Sequence, residues 1–166
     1  MPKVRATYSR ALPPTPFKPL EDPPDEDKIR EERWRAWQQS PAAKGKGSAS
    51  MLEYMVWDFL VNKKKQIEDV DFIYQYPLMG GRTQFGGFVA DFYFPLRREV
   101  WNPAGLEFHW TTAQHRAKDI ISRVVLASRG IKEIFLWETD LMNRPEYTLE
   151  QAWMGRELPR GSSDGS

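Results

Sequence analysis

Apolar residues recur at helical spacing in residues 51–64, where Leu52, Met55, Val56, Phe59 and Leu60 share one face. Ser50 precedes them and Glu53 follows three residues later, the arrangement of a capping box, so a helix is predicted from Met51 to about Lys64. Residues 72–76 read as a strand that Pro77 ends. Gly80-Gly81-Arg82 predicts a turn, and Gly86-Gly87 a second break. Residues 88–94, Phe-Val-Ala-Asp-Phe-Tyr-Phe, carry a strong strand signal. Strict alternation places Phe88, Ala90, Phe92 and Phe94 on one face and Val89, Asp91 and Tyr93 on the other. Residues 99–101 and 106–110 are short strand-like pieces split by Asn102-Pro103-Ala104-Gly105. Thr111 or Thr112 caps a helix running to about Arg129, with Ile120, Val124, Leu126 and Ala127 apolar and Gly130 as its stop. Residues 131–137 form another strand, 138–141 an exit segment and 149–154 a short helix. This order predicts an α/β (α+β) domain, and its late strand–helix–strand crossover implies some parallel pairing.

The flanks read differently. Seven of the 13 prolines fall within residues 1–24, and proline lacks the amide donor that a helix or central strand needs. That stretch reads as an extended arm of polyproline II character: either a plain leader, or an arm that docks on a protein partner or a second copy. Residues 25–39 read as a helix with acid at its start, and Trp34 and Trp37, three apart, share a face. Residues 40–50 are a break, and the Gly- and Ser-rich tail begins at Pro159. The implied division is an arm and short helix over 1–47, a folded domain over 48–158 and a tail over 159–166.

A chain of 166 residues with 40% hydrophobic and 28% charged positions suits one domain, and seven Trp supply bulk for its core. The net charge of +1 gives no global attraction to nucleic acid, so any such contact must come from local basic patches. Without Cys, disulfides and thiolate metal sites are excluded. No run of 18 apolar residues predicts a membrane span, and no secretory signal is evident. The expected location is cytoplasmic, that of the host cell if the chain is phage-encoded.

Asp91 is the most informative residue. A carboxylate in an apolar strand is costly to bury unless it is paired or bound to a cation. One reading is a structural Asp paired with Arg82 or Arg97. The other is a site shared with Glu99 and with Glu53 from the preceding helix. Two or three such oxygens suit Mg²⁺ or Mn²⁺, which prefer hard ligands.

The span 53–141 resembles the PD-(D/E)XK (restriction-endonuclease-like) nuclease superfamily, and within it the very-short-patch-repair-type and phage-encoded small endonucleases. The resemblance is carried by Ser50-Met51-Leu52-Glu53, Tyr74-Gln75-Tyr76-Pro77, Gly80-Gly81-Arg82 and Gly86-Gly87-Phe88-Val89-Ala90-Asp91-Phe92. It continues in Glu99-Val100-Trp101, Gly105, His109-Trp110, Lys118-Asp119, Gly130-Ile131 and Trp137-Glu138-Thr139-Asp140-Leu141. It implies a central mixed sheet flanked by helices, with an N-terminal arm added. It also implies a Mg²⁺- or Mn²⁺-dependent endonuclease acting on DNA of branched or mismatched type. Asp91 and Glu99 would bind the metal, Glu53 would support it or position water, and His109 would act as acid or base near the phosphate.

The pattern departs from the family where acid-x-Lys is expected, because Trp101 stands in the lysine position. Arg97, Arg98 or Lys118 could supply the charge. Glu107-Phe108-His109 is a second acid-x-base triplet, so Glu107 competes with Glu99 as second ligand. The alternative reading is a decayed nuclease fold serving as a binding or assembly module through the arm and the Trp34/Trp37 helix; a third is an unrelated α+β domain. Lys63-Lys64-Lys65 with Lys44 and Lys46, and Arg116, Lys118, Arg123 and Arg129 on one helix, are either phosphate contacts or solvated faces. Trp34, Trp37 and Trp57 either stack bases or pack.

Overall fold

The computed structural model describes residues 25–40, 43, 50–81, 87–105 and 113–159. The arm, Lys44, Lys46, Arg82, Glu107, His109, Trp110, Thr111, Thr112 and the last seven residues lie outside the described residues, with every reading placed on them. The side chains of Arg116 and Lys118 lie outside them too.

Asp25 caps the first helix, α1 (Glu26–Gln38), its carboxylate accepting from the amides of Asp27 and Lys28. Trp37 is buried, with ring centroids 5.3 Å from Tyr54 and 5.8 Å from Trp57. The Trp face of α1 therefore docks on the chain's own next helix, α2 (Met51–Asp58). The predicted capping box is formed: Ser50 Oγ accepts from Glu53 N, and the Glu53 carboxylate accepts from Ser50 N. The last predicted turn of this helix is π-helical, Phe59–Lys63, and buries Phe59 and Leu60.

Four strands follow: β1 (Ile73–Leu78), β2 (Phe88–Phe94), β3 (Glu99–Ala104) and β4 (Lys132–Trp137). They lie side by side in that order, β1, β2 and β3 antiparallel and β3 and β4 parallel. The crossover helix α3 (Ala113–Ser128) connects β3 to β4, and Gly130 at φ +68° turns the chain out of it. Two helices close the fold, α4 (Glu138–Asn143) and α5 (Pro145–Trp153). The result is a mixed α/β fold with a four-stranded mixed sheet between helices. Among the described residues no helix is long and apolar enough to cross a membrane.

Two prolines sit inside strands where the sequence suggested breaks. Pro77 pairs with Val89 in β1, an edge strand that needs donors on one side only. Pro103 lies in β3. Lys132 N donates to Arg98 O, which turns the even-numbered amides of β3 toward β4. The missing donor of Pro103 thus faces β2, beyond the end of that ladder. Residues 138–141, read as an exit segment, belong to α4. Helix α5 begins earlier than predicted, at Pro145, where a first-turn amide has no partner to lose.

Helices α2, α4 and α5 cover one face of the sheet. Their Met55, Val56, Leu141, Leu149 and Ala152 meet Phe92, Phe94, Trp101, Ile134 and Leu136. On the other face Leu126 of α3 meets Phe88, Ala90, Val100 and Ile131. Val100 and Trp101 are strand neighbours, so these clusters lie on opposite faces. The alternation expected in β2 therefore fails: Phe88 and Ala90 point one way, Phe92 and Phe94 the other. The switch falls at Asp91. Helix α3 is also rotated from its apolar pattern: Ile120, Ile121 and Val124 are exposed while Asp119 and Ser122 are half-buried and Leu126 is buried. Arg123 lies 4.7 Å over the Phe135 ring, which holds that rotation.

Trp37→Ala should lower stability by about 3 kcal/mol in urea unfolding, the low end for a buried Trp because α1 can settle onto the gap. A loss below about 0.5 kcal/mol, the range of surface changes, would show that α1 does not dock on α2.

Candidate functional site where β2 and β3 part

The β2–β3 ladder pairs Phe94 with Glu99, Tyr93 with Val100 and Phe92 with Trp101, and then stops. The Asp91 N–H donates instead to the side chain of Asn102, at 3.0 Å from Oδ1. On the other side of β2, Gln75 stands opposite Asp91 at φ +50°, the left-handed region that costs a non-Gly residue about 1 kcal/mol or more. Past this point the sheet continues as two ribbons. The β1–β2 ribbon runs from Tyr76 and Ala90 to Leu78 and Phe88, and the β3–β4 ribbon runs to Ala104 and Trp137. Asp91 sits half-buried where they part.

Glu53 reaches Tyr74 of β1 from α2. Its carboxylate is held by the capping box and also accepts from the Tyr74 hydroxyl. Tyr74 packs on Phe92 at 5.2 Å between centroids. Burial pushes the Tyr74 hydroxyl well above the ordinary tyrosine range, and the charges of Glu53 and Asp91 push it further. Two of the sequence-predicted carboxylates thus act on one hydroxyl. Such a set offers hard oxygens of the kind Mg²⁺ and Mn²⁺ take. Among the described residues no group of three His, Asp or Glu side chains is placed to hold a metal.

Glu99 is elsewhere. It pairs with Phe94, three residues along β2 from Asp91, about 10 Å at strand rise. Its Oε1 accepts from Trp101 Nε1 at 2.7 Å and lies 3.1 Å from Arg97 Nη2, and the residue is buried. Arg97 also donates to Trp153 O at 2.6 Å and lies 4.6 Å over the Trp153 ring. The Asp91–Arg97 pair considered from the sequence is replaced by this Glu99–Arg97 pair. The structure does not bring Glu99 to Asp91.

Other predicted cations are engaged as well. Arg98 donates to the carbonyls of Arg129 and Gly130, capping α3, so Arg97 and Arg98 both sit away from the parted strands. Lys64 donates to Glu150 at 2.8 Å, and Lys63 lies 3.4 Å from Glu146. These lysines hold the Glu150 carboxyl below its usual range. Arg123 grips Glu157 at 2.9 Å, and Trp57 donates to Glu68. Each of these leaves less free charge or ring for nucleic acid than the sequence suggests.

Two residues the sequence reading missed lead away from Asp91, Asn102 in contact with it and Glu133 one step further. Asn102 donates from Nδ2 to Glu133 Oε1 at 2.7 Å, and Glu133 is a buried carboxylate on β4. Its Oε2 has no hydrogen bond, with Arg123 Nε 3.7 Å away. Burial pushes the Glu133 carboxyl up to about 7, more than Asn102 and Arg123 bring it down, and Asp119 and Glu157 add to the rise. The signal was available: Glu133 is an acid in the apolar run Ile131–Trp137, the same anomaly that marked Asp91. Asn102 gave no signal, because Asn before Pro reads as a turn.

Comparison with protein-family models, curated proteins and solved structures returns no match.

Glu133 binds its proton more tightly folded than unfolded, so its neutral form stabilises the fold. That contribution is whole below pH 4.5 and is lost as pH rises through about 7. At about 1.4 kcal/mol per unit the loss reaches at most about 3.5 kcal/mol. Glu133→Gln keeps an acceptor for Asn102 and cannot ionise. Its urea stability should therefore fall less than wild type between about pH 5 and about pH 8; equal falls would contradict the assignment.

Proposed function

We propose that the chain is a metal-dependent endonuclease acting on DNA, with Asp91 as its central metal ligand. The observation that carries this reading is the parting of β2 from β3 at Asp91, with Glu53 acting on the same Tyr74 hydroxyl. The element order also agrees with a restriction-endonuclease-like core: helix, three antiparallel strands, crossover helix, parallel strand. In this reading Glu107 is the second acid, because Glu99 is engaged by Trp101 and Arg97. Asp91 and Glu107 hold Mg²⁺ or Mn²⁺, Glu53 positions the attacking water, and His109 protonates the leaving oxygen. The metal, when bound, lowers the pKa of water and offsets charge on the scissile phosphate. Lys118 takes the place of the family lysine, since Arg97 and Arg98 are committed elsewhere.

One observation favours the second reading, a nuclease fold that binds without cutting. Helix α3 exposes Ile120, Ile121 and Val124 as a contact face. Trp37, in contrast, is engaged within the chain and is not available to a partner.

The test is cleavage of branched, mismatched and plain duplex DNA by the full chain with Mg²⁺ or Mn²⁺. Asp91→Ala and Glu107→Gln should abolish cleavage while retaining the folded circular-dichroism spectrum. Glu99→Gln should cut like wild type but unfold at lower urea. Cleavage that survives Asp91→Ala would sink the site. DNA binding with no cleavage by wild type would favour the second reading.

A further inference from the structure

The geometry points to Asn102 and Glu133 as positioning residues for Asp91. Glu133 orients the Asn102 amide, and Asn102 fixes the Asp91 main chain where the β2–β3 ladder has ended. The functional weight of this relay rests on the reading of Asp91 as a metal ligand.

The contacts are few and specific. Asn102 is half-buried in β3 and uses both ends of its amide. Oδ1 accepts from Asp91 N at 3.0 Å, and Nδ2 donates to Glu133 Oε1 at 2.7 Å. An Asn amide can present either end to a neighbour. A buried carboxylate or carboxyl oxygen on β4 selects the NH₂ end and leaves the oxygen for Asp91. Without Glu133, nothing in these two bonds fixes that choice. Glu133 is itself held from two further elements: Arg123 of α3 lies 3.7 Å from Oε2, and Arg123 is gripped by Glu157, whose carboxylate also accepts from Phe135 N. The line runs from the C-terminal stretch and α3, through β4 and β3, to the main chain of β2. It ends at the residue where side-chain alternation in β2 switches face. A small rotation at that amide would re-aim the Asp91 carboxylate, so partners one step removed from a ligand govern how well it binds.

Three measurements on the full chain test this: Asp91 amide hydrogen exchange by NMR, Mn²⁺ affinity by calorimetry, and urea stability. In Asn102→Ala and Glu133→Ala, Asp91 exchange should rise and Mn²⁺ binding should weaken by about 10–100-fold. Glu133→Gln, which keeps the acceptor, should restore both, although it removes the charge. Asn102→Ser, too short to reach both partners, serves if the alanine variants do not fold. Unchanged exchange and Mn²⁺ affinity in folded Asn102 variants would overturn the relay. If wild type binds no Mn²⁺, the metal reading fails, and Asp91 exchange alone decides whether the relay exists.

Discussion

An amide inside a folded chain needs an acceptor, and the Asp91 N–H takes a side chain where the β2–β3 ladder stops. Asn102 Oδ1 supplies the acceptor. That single bond lets β2 leave β3 without leaving a polar group bare. Much around it follows. Pro103 is tolerated in β3 because the ladder it would interrupt has already stopped. Gln75, opposite Asp91, takes a left-handed conformation, and the face of β2 reverses between Ala90 and Phe92. The parting is thus a built feature of the sheet, tied across three strands by Asn102 and Glu133.

The two ends of the sheet differ in how they treat charge. At the closed end Glu99, Arg97, Trp101 and Trp153 form a compensated cluster, with a buried carboxylate satisfied by an indole and a guanidinium. Removing one partner there exposes the other to a desolvation cost of several kcal/mol. At the open end burial, with the charges of Glu53 and Asp91 added to it, suppresses ionisation of the Tyr74 hydroxyl. Stability belongs at the closed end.

Much of the fold was legible in local signals. Ser50 with Glu53, Gly130 after a helix, and the extent of the seven-residue strand around Asp91, though not its alternation, each formed as the sequence implies. Pro77 and Pro103 misled because their tolerance depends on which strand lies alongside, a tertiary fact. Glu99 looked like a partner of Asp91 because it follows within a turn and a strand. Register then placed it three residues down the neighbouring strand, and Trp101, which stands in the expected lysine position, is its hydrogen-bond donor. Glu133 was visible as an acid in an apolar strand and was passed over. Asn102 could not be found without knowing that β2 ends its pairing beside it.

The central claim is that Asp91 marks a metal-dependent site at the parted end of the sheet. Paramagnetic broadening by Mn²⁺ in the amide NMR spectrum of the full chain tests it most directly. At low Mn²⁺ ratios the amides of Asp91 and Glu53, with those of Glu107 and His109, should broaden first, with Glu99, Arg97 and Trp153 following only at higher ratios. Broadening centred on Glu99, or spread evenly over surface carboxylates, would contradict the account.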